Sequence, residues 1–440
     1  MNRGLVPVMG AAANSEADRV ASQVSTATRP ARTGPARPLP SSLVARRTAV
    51  ETLQLIWKEE RISRAEISRR KDLSRSTVSA IVYDLLATAL VKEVGTGPSR
   101  GGRRPIELQF QYEAYGIVGV DVGAKHVAVA ITNLRGQVKT FAHRSFPVRS
   151  NRAGALALAI ELIESSLAEW GGGPGRLLGI GLAVPSPVDP RQPDAVSEVV
   201  IPAWHGKGLT TALGKRFRLP VLVDNDANLG ALAELWWGAA SGVADSVYIK
   251  CATGIGSGHI IGGKIYRGSS GTAGEIGHLA IDPHGPPCVC GLRGCLVTYV
   301  GTEALLARAA ELLRQETGST LLRKKLSITA VEDAALAGDP VALRVVNEAA
   351  DYLGIAVAGL INLMNPAMVS VGGSLARLGE LLLAPLRRSV RARTLVTSLA
   401  AAEIVASKLG ERDVAVGATT LVLEAALEDL TLFPALAAGR

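Results

Sequence analysis

The sequence is short of the residues that mark a secreted or membrane-bound chain. Only 4 of its 440 residues are cysteine, too few for a disulfide scaffold spread through an extracellular fold, so an intracellular setting is expected. The amino-terminal stretch is rich in Ala, Arg, Pro and Ser and lacks the apolar segment of a signal peptide. No later apolar run reaches about 18 residues without Gly, Pro or polar groups interrupting it. Neither export nor membrane insertion is expected. Apolar residues are plentiful, at 48% of the chain, enough for the cores of two or three compact domains.

The net charge of +9 is unevenly spread. Residues 1–43 hold 5 basic and 2 acidic side chains, residues 44–110 hold 13 and 8, and residues 111–440 hold 30 and 29. A nearly neutral body thus carries a small basic head, the distribution expected when only the head meets a polyanion. A well-solvated surface would look the same by charge alone, so the motifs must decide.

Residues 1–43 include "TRPARTGPARPLP" and show little apolar periodicity, which reads as a disordered arm. Order is expected from "SSLVARRTAVETLQLIWKEE", where Leu43, Val50, Leu53, Leu55 and Ile56 form a helical apolar face. Two more helices follow. Ser63 with Glu66 has capping-box spacing, and Ser74 precedes the helix carrying Val78, Ile81, Leu85 and Leu86. Three helices with a short turn before the third describe a helix-turn-helix, whose third helix enters the major groove. Arg75, Ser76, Thr77 and Ser79 stand at its start, suited to bases or phosphates. A strand, a basic glycine turn and a second strand in "LVKEVGTGPSRGGRRPIELQF" then read as a wing, with Arg100, Arg103 and Arg104 at its tip.

Beyond Tyr115 apolar strands alternate with glycine turns, in "YGIVGVDVGAKHVAVAITN", "SVYIKCATGIGSGHII" and "MVSVGGSLARLG". Long Ala/Leu/Glu stretches lie between them. An α/β body of two lobes with a ligand cleft is expected. The strand "LPVLVDNDANLG" ends in Asn225 and Asp226, where an amide and a carboxylate could hold a polyol or merely cap the next helix.

His278, Cys288, Cys290 and Cys295 supply one nitrogen and three sulfurs, a structural zinc set with no position left for catalytic water. A Cys-x-Cys could also be free thiols or a redox pair. Glu275 precedes His278 by three positions, so a metal-held histidine could stand beside a carboxylate in the cleft. Cys251, far away, reads as a small buried side chain.

The stretches "GTAGEIGHLAIDPHGPPCVCGLRGCL", "LPVLVDNDANLGALAE" and "ATGIGSGHIIGGKIYRG" resemble the ROK family of bacterial repressors, open reading frames and sugar kinases. The resemblance spans roughly residues 44–425 and is to the longer members with an amino-terminal winged helix-turn-helix. It implies a two-lobed actin-like ATPase (ribonuclease H-like) body and zinc on the four residues just named. It also implies a sugar held by Asn225, Asp226, Glu275 and His278, and a homodimer or tetramer with paired heads. The resulting organisation is an arm (1–43), a head (44–110), a first lobe (111–235), a second lobe (236–425) whose last helix can return to the first, and a tail (426–440).

Departures from the kinase pattern favour regulation over catalysis. Where kinases of the family carry Asp-x-Gly-Gly-Thr-Lys, this chain has Asp121-Val-Gly-Ala-Lys-His126, and their Gly-Thr-Gly is Ala252-Thr253-Gly254. Bulk added to loops that pass close to phosphates obstructs them, so Asp226 is expected to be a vestigial base. Val297 follows Leu296 where the family has a sugar-binding glutamate, Ser186 replaces a glycine, and Pro202 stands in an asparagine region. The expectation is a cytoplasmic, chromosome-bound transcriptional repressor reading an inverted repeat under control of a sugar or sugar derivative. The rivals are an ATP-dependent sugar kinase with an added head, and a constitutive DNA-binding protein with a ligand-free dimerisation body.

Overall fold

Serine caps set the helix starts of the head. In the computed structural model, which describes residues 47–97, 104–189, 191–192, 208–394 and 402–434, the head comprises α1 (Arg47–Lys58), β1 (Ile62–Ser63), α2 (Arg64–Lys71), α3 (Arg75–Ala87), β2 (Val91–Thr96) and β3 (Ile106–Phe110). Ser63 Oγ accepts the Glu66 amide at 3.2 Å and Ser74 Oγ that of Thr77 at 3.1 Å, each satisfying a donor that the helix start leaves open. Glu66 does not reach back to complete a capping box; its carboxylate accepts from Arg69 and Arg70 instead. Val78, Ile81, Val82 and Leu85 of α3 are buried with Leu53 and Ile56 of α1, and the strands pair antiparallel in the order β1-β3-β2. The arm expected over 1–43, Pro202, and the turn arginines Arg100 and Arg103 lie outside the described residues.

The body is built twice on one plan. The first sheet holds β4 (Gly116–Val122), β5 (His126–Asn133), β6 (Val138–Ser145), β7 (Leu177–Val184) and β8 (Val221–Asn225), in the order β6-β5-β4-β7-β8. The second holds β9 (Ser246–Cys251), β10 (Ile255–Ile261), β11 (Lys264–Tyr266), β12 (Met368–Gly372) and β13 (Glu403–Ala406), in the order β11-β10-β9-β12-β13. In each, three strands form an antiparallel meander, then the fourth lies parallel beside the first and the fifth parallel beside the fourth. Strand β7 is buried at every position, the unbroken apolar pattern of a parallel strand covered on both faces.

Helices α4 (Arg152–Trp170) and α5 (Leu209–Phe217) serve the first sheet; α7 (Thr302–Leu313), α8 (Ile328–Leu336), α9 (Pro340–Met364) and α10 (Glu380–Arg391) serve the second. Two helices cross between them. Helix α6 (Asp226–Trp237) packs on β9 and β10, while α11 (Asp413–Glu428) packs on β4 and β7, and the two pack on each other. Glycine makes this possible: a Cβ at Gly417 would stand 1.8 Å from the Leu229 carbonyl oxygen, and one at Gly181 1.8 Å from that of Ala418. The lobe boundary expected at residue 235 is thereby corrected, because the helix ending there covers the second sheet. The tail expected from 426 is corrected too: α11 runs to Glu428 and Phe433 is buried against Tyr115. No described helix is long and apolar enough to cross a membrane.

Candidate functional site

Strand β8 ends at Asn225 and α6 begins at Asp226, which brings both to the mouth of the first sheet, facing β9 of the second. Asn225 caps α6: its Oδ1 accepts from the amides of Ala227 at 2.9 Å and Asn228 at 3.2 Å, and its Nδ2 donates to the Ser186 carbonyl at 3.2 Å. Asp226 is held differently. Its Oδ2 accepts from Lys250 Nζ at 2.7 Å, with Lys250 9% and Asp226 8% exposed. Because Lys250 belongs to β9, this ion pair ties the start of α6 to the second sheet.

Lys250 is the hub of a buried charge cluster. Burial disfavours its ammonium, but Asp226 and Asp121 outweigh that and raise its pKa. At the end of β4, Asp121 meets His126 Nε2 at 2.9 Å through Oδ2, while its Oδ1 is buried without a hydrogen-bond partner. Burial pushes Asp121 up, yet Lys250 and His126 bring it down to about 2. The His126 ring lies where a Cβ on Gly123 would point, 2.2 Å from it, so the first glycine loop is filled from within. At the start of α11 Asp413 accepts from the Tyr248 hydroxyl, and burial lifts it to about 6 against the pull of Tyr248 and Lys250.

The sign for Asp413 follows from its raised value. Its contribution to stability is complete below the ordinary carboxylate value of 3.8 and is lost as pH rises through about 6. Asp413→Asn should therefore gain on the parent chain as pH climbs from about 4 to about 7, by an order of 3 kcal/mol. Urea denaturation of both chains across that range checks it; a constant difference would refute it.

Glu275 enters the same cleft. Burial and then the Asp226 charge raise its pKa, placing two carboxylates within electrostatic reach. Its loop lies flat on β10, since Gly274 has φ +96° and a Cβ there would stand 1.9 Å from the Ser257 carbonyl oxygen. A single 3-10 turn, Ile276–His278, follows Glu275. Val297, where a glutamate is expected, is half-buried against the second-lobe core.

From His278 the chain enters the cysteine loop. Ligand atoms of His278, Cys288, Cys290 and Cys295 all lie within 4.8 Å of one another. Cys288 Sγ is 3.6 Å from His278 Nδ1 and Cys290 Sγ 3.7 Å from Cys295 Sγ. Tetrahedral ligation at a metal–sulfur distance of about 2.3 Å sets ligand atoms about 3.8 Å apart. The donors thus fit a metal ion, and no disulfide joins them. Cys251 is buried and its thiol is pushed up to about 12 by that burial.

The ROK family model matches residues 117–425. The chain belongs to the ROK family. It is 33% identical over 386 residues to the xylose repressor of Caldicellulosiruptor bescii, covering 87% of this chain and 96% of that protein. A solved ROK family transcriptional regulator, a homologue of the Escherichia coli MLC protein, matches with TM-score 0.73 and 26% identity over 88% of this chain and 98% of its own. A ROK family glucokinase from Streptomyces griseus, solved with glucose and AMPPNP, matches with TM-score 0.65 and 29% identity over 70% of this chain and 98% of its own. The body thus has the actin-like ATPase fold of ROK proteins, with its lobes on the two matching sheets.

The other expected site residues divide by exposure. Arg75, Ser76, Ser79 and Arg104 are exposed, whereas Thr77 is half-buried with its hydroxyl 2.7 Å from Ser74 Oγ. Tyr83, 74% exposed two turns beyond Arg75 and on the Ser79 side of α3, was not singled out from sequence. Lys250 was missed as well, although a lysine inside the apolar strand "SVYIKC" is itself a signal.

Proposed function

We propose that this ROK protein is a cytoplasmic, chromosome-bound transcriptional repressor that reads operator DNA through a winged helix-turn-helix head and is released by a sugar or sugar-derived effector. The observation that carries this reading is the buried Lys250–Asp226 ion pair. A kinase base must be free to take a hydroxyl proton opposite an aligned phosphate. Here the carboxylate is neutralised from the facing sheet, and His126 fills the first glycine loop. The repressor named among the relatives, matched over 87% of this chain, supports the same conclusion for the head.

Asn225, Asp226, Glu275 and His278 are the effector contacts in this reading. His278 Nδ1 and the three thiols would hold a zinc ion, which would fix the imidazole tautomer and leave Nε2 to donate towards the ligand. The metal holds the loop and takes no part in chemistry. Closure of the lobes on the effector shifts the population of head arrangements and weakens operator affinity. A homo-oligomer presents paired recognition helices about 34 Å apart to an inverted repeat, with Arg75, Ser76, Thr77 and Ser79 at the bases and Arg100, Arg103 and Arg104 along the backbone.

DNA capture with the full chain, with and without D-xylose, D-glucose and N-acetylglucosamine, tests the reading. The expected product is an inverted repeat whose occupancy one of these sugars lowers; no sequence-selective binding at physiological salt would refute it. Sugar-dependent ADP formation abolished by Asp226→Asn would establish the kinase instead. On the captured operator, Arg75→Ala and Tyr83→Ala should each weaken binding by about 1–3 kcal/mol. A titration showing both variants at parental affinity would remove α3 from the interface.

A further inference from the structure

We propose that the cluster of Trp57, Trp236 and Trp237, at the far ends of two side-by-side helices that both begin at the Lys250 ion cluster, is the coupling surface through which the state of the cleft reaches the head. The proposal rests on the reading of the cleft as an effector site. Helix α6 starts at Asp226 and ends at Trp237, a span of about 18 Å at 1.5 Å per residue. Helix α11 starts at Asp413, hydrogen-bonded to Tyr248, and carries Leu427 near its end. The two run in the same sense, from the charge cluster to the head.

At the head end the contacts are specific. The Trp57 ring of α1 meets Trp236 with centroids 5.4 Å apart at 61° and Trp237 at 6.3 Å and 67°, both edge-on. Trp57 Nε1 donates to the Leu134 carbonyl at 3.1 Å, and the Arg135 guanidinium lies 4.8 Å from the Trp57 ring centroid. Trp237 Nε1 donates to Thr420 Oγ1 at 2.8 Å, pinning α6 to α11. Gln54 Nε2 of α1 donates to the Leu427 carbonyl at 3.2 Å. Both helices therefore touch α1, the helix beneath the recognition helix.

Between the two ends little slack is available. The backbones meet where Gly417 passes the Leu229 carbonyl, leaving no side-chain layer to absorb a shift of one helix against the other. Packed helices move as units by small translations and rotations. A displacement of Asp226 that breaks or re-forms its bond to Lys250 is thus delivered to the tryptophans. Trp57 touches no ligand; it is a positioning residue for the head.

Hydrogen exchange of the full chain provides the test, with Asp226→Asn perturbing the near end and segment 47–58 as readout. Exchange there should accelerate about tenfold, the factor that ~1.4 kcal/mol of local stability sets. Trp57→Phe keeps a ring but loses the indole donor, so Asp226→Asn added to it should change exchange little further. Arg377→Gln, which breaks the pair with Glu332 on the second lobe, should leave the segment untouched. Tyr248→Phe perturbs the start of α11 and replaces Asp226→Asn should that chain not fold. The proposal is overturned if near-end variants leave the segment unchanged, if Arg377→Gln changes it equally, or if the effects of Asp226→Asn and Trp57→Phe simply add. None of these outcomes depends on sugar binding, which D-xylose, D-glucose and N-acetylglucosamine calorimetry examines separately.

Discussion

Lys250→Met should destabilise the chain by about 3–5 kcal/mol, the range seen when one partner of a buried ion pair is removed. The lysine is the cation shared by Asp226, bonded at 2.7 Å, and Asp121, held down to about 2. Without it two buried carboxylates lose their shared cation and must be protonated, moved or hydrated. Met has nearly the same length and fills the space, so a cavity contributes little and the charge dominates. Asp226→Asn alone should cost less, since Asp121 and Asp413 still act on the ammonium. Adding Asp226→Leu to Lys250→Met should recover most of the loss, because an apolar pair can replace a buried ion pair without penalty. Urea unfolding of the three variants measures the coupling. A Lys250→Met cost below about 1 kcal/mol, the scale of an exposed pair, would refute the account.

Cys295→Ser should abolish stoichiometric zinc and loosen the loop from Leu279 to Leu296. That segment is otherwise held by turn and cross-loop hydrogen bonds, such as Ile281 N–H to the Gly294 carbonyl and Cys288 N–H to the Leu292 carbonyl, and by the Tyr299 hydroxyl donating to Asp282. Among the described residues it holds no helix or strand, only the bridges Ala280–Cys295 and Pro287–Arg293. Structural zinc in small peptide sites is worth about 10–16 kcal/mol of apparent binding energy, and here it would fasten a loop that leads back to Glu275. Elemental analysis should find a single zinc ion per parental chain and none in the variant. Proteolysis should then cut near Val289 or Leu292, both exposed at the loop tip. A parental chain purified without zinc, or a variant whose loop stays protected, would count against it.

What could be read in advance was mainly local. Serine caps at 63 and 74, the meander after Tyr115 and the His/Cys quartet depend on neighbours in sequence, where spacing and turn chemistry act directly. Asn225 was legible as a strand-end residue able to cap the next helix, which its oxygen does through Ala227 and Asn228, but the bond of its amide nitrogen to Ser186, 39 positions away, was not. Lys250 was missed although its type is a signal, and its partner lay beyond the sequence, because pairing β9 against the start of α6 is a product of the whole fold. The return of α11 to the first lobe was among the expectations, whereas the passage of α6 onto the second sheet escaped for the same reason. Gly181 and Gly417 register as small residues in sequence and as close backbone approaches only in three dimensions.

The shared core beneath the head bears on how the chain can be taken apart. Leu53 and Ile56 of α1 are buried in one cluster with Leu427, Leu430 and Phe433 of the carboxyl-terminal region. A cut near residue 110 would strip both sides at once, leaving a fragment with an open apolar face and a body with another. The amino-terminal unit is therefore a poor cassette: grafted onto a foreign partner it needs substitutes for Leu134, Trp236, Leu427 and Phe433, or a redesigned underside.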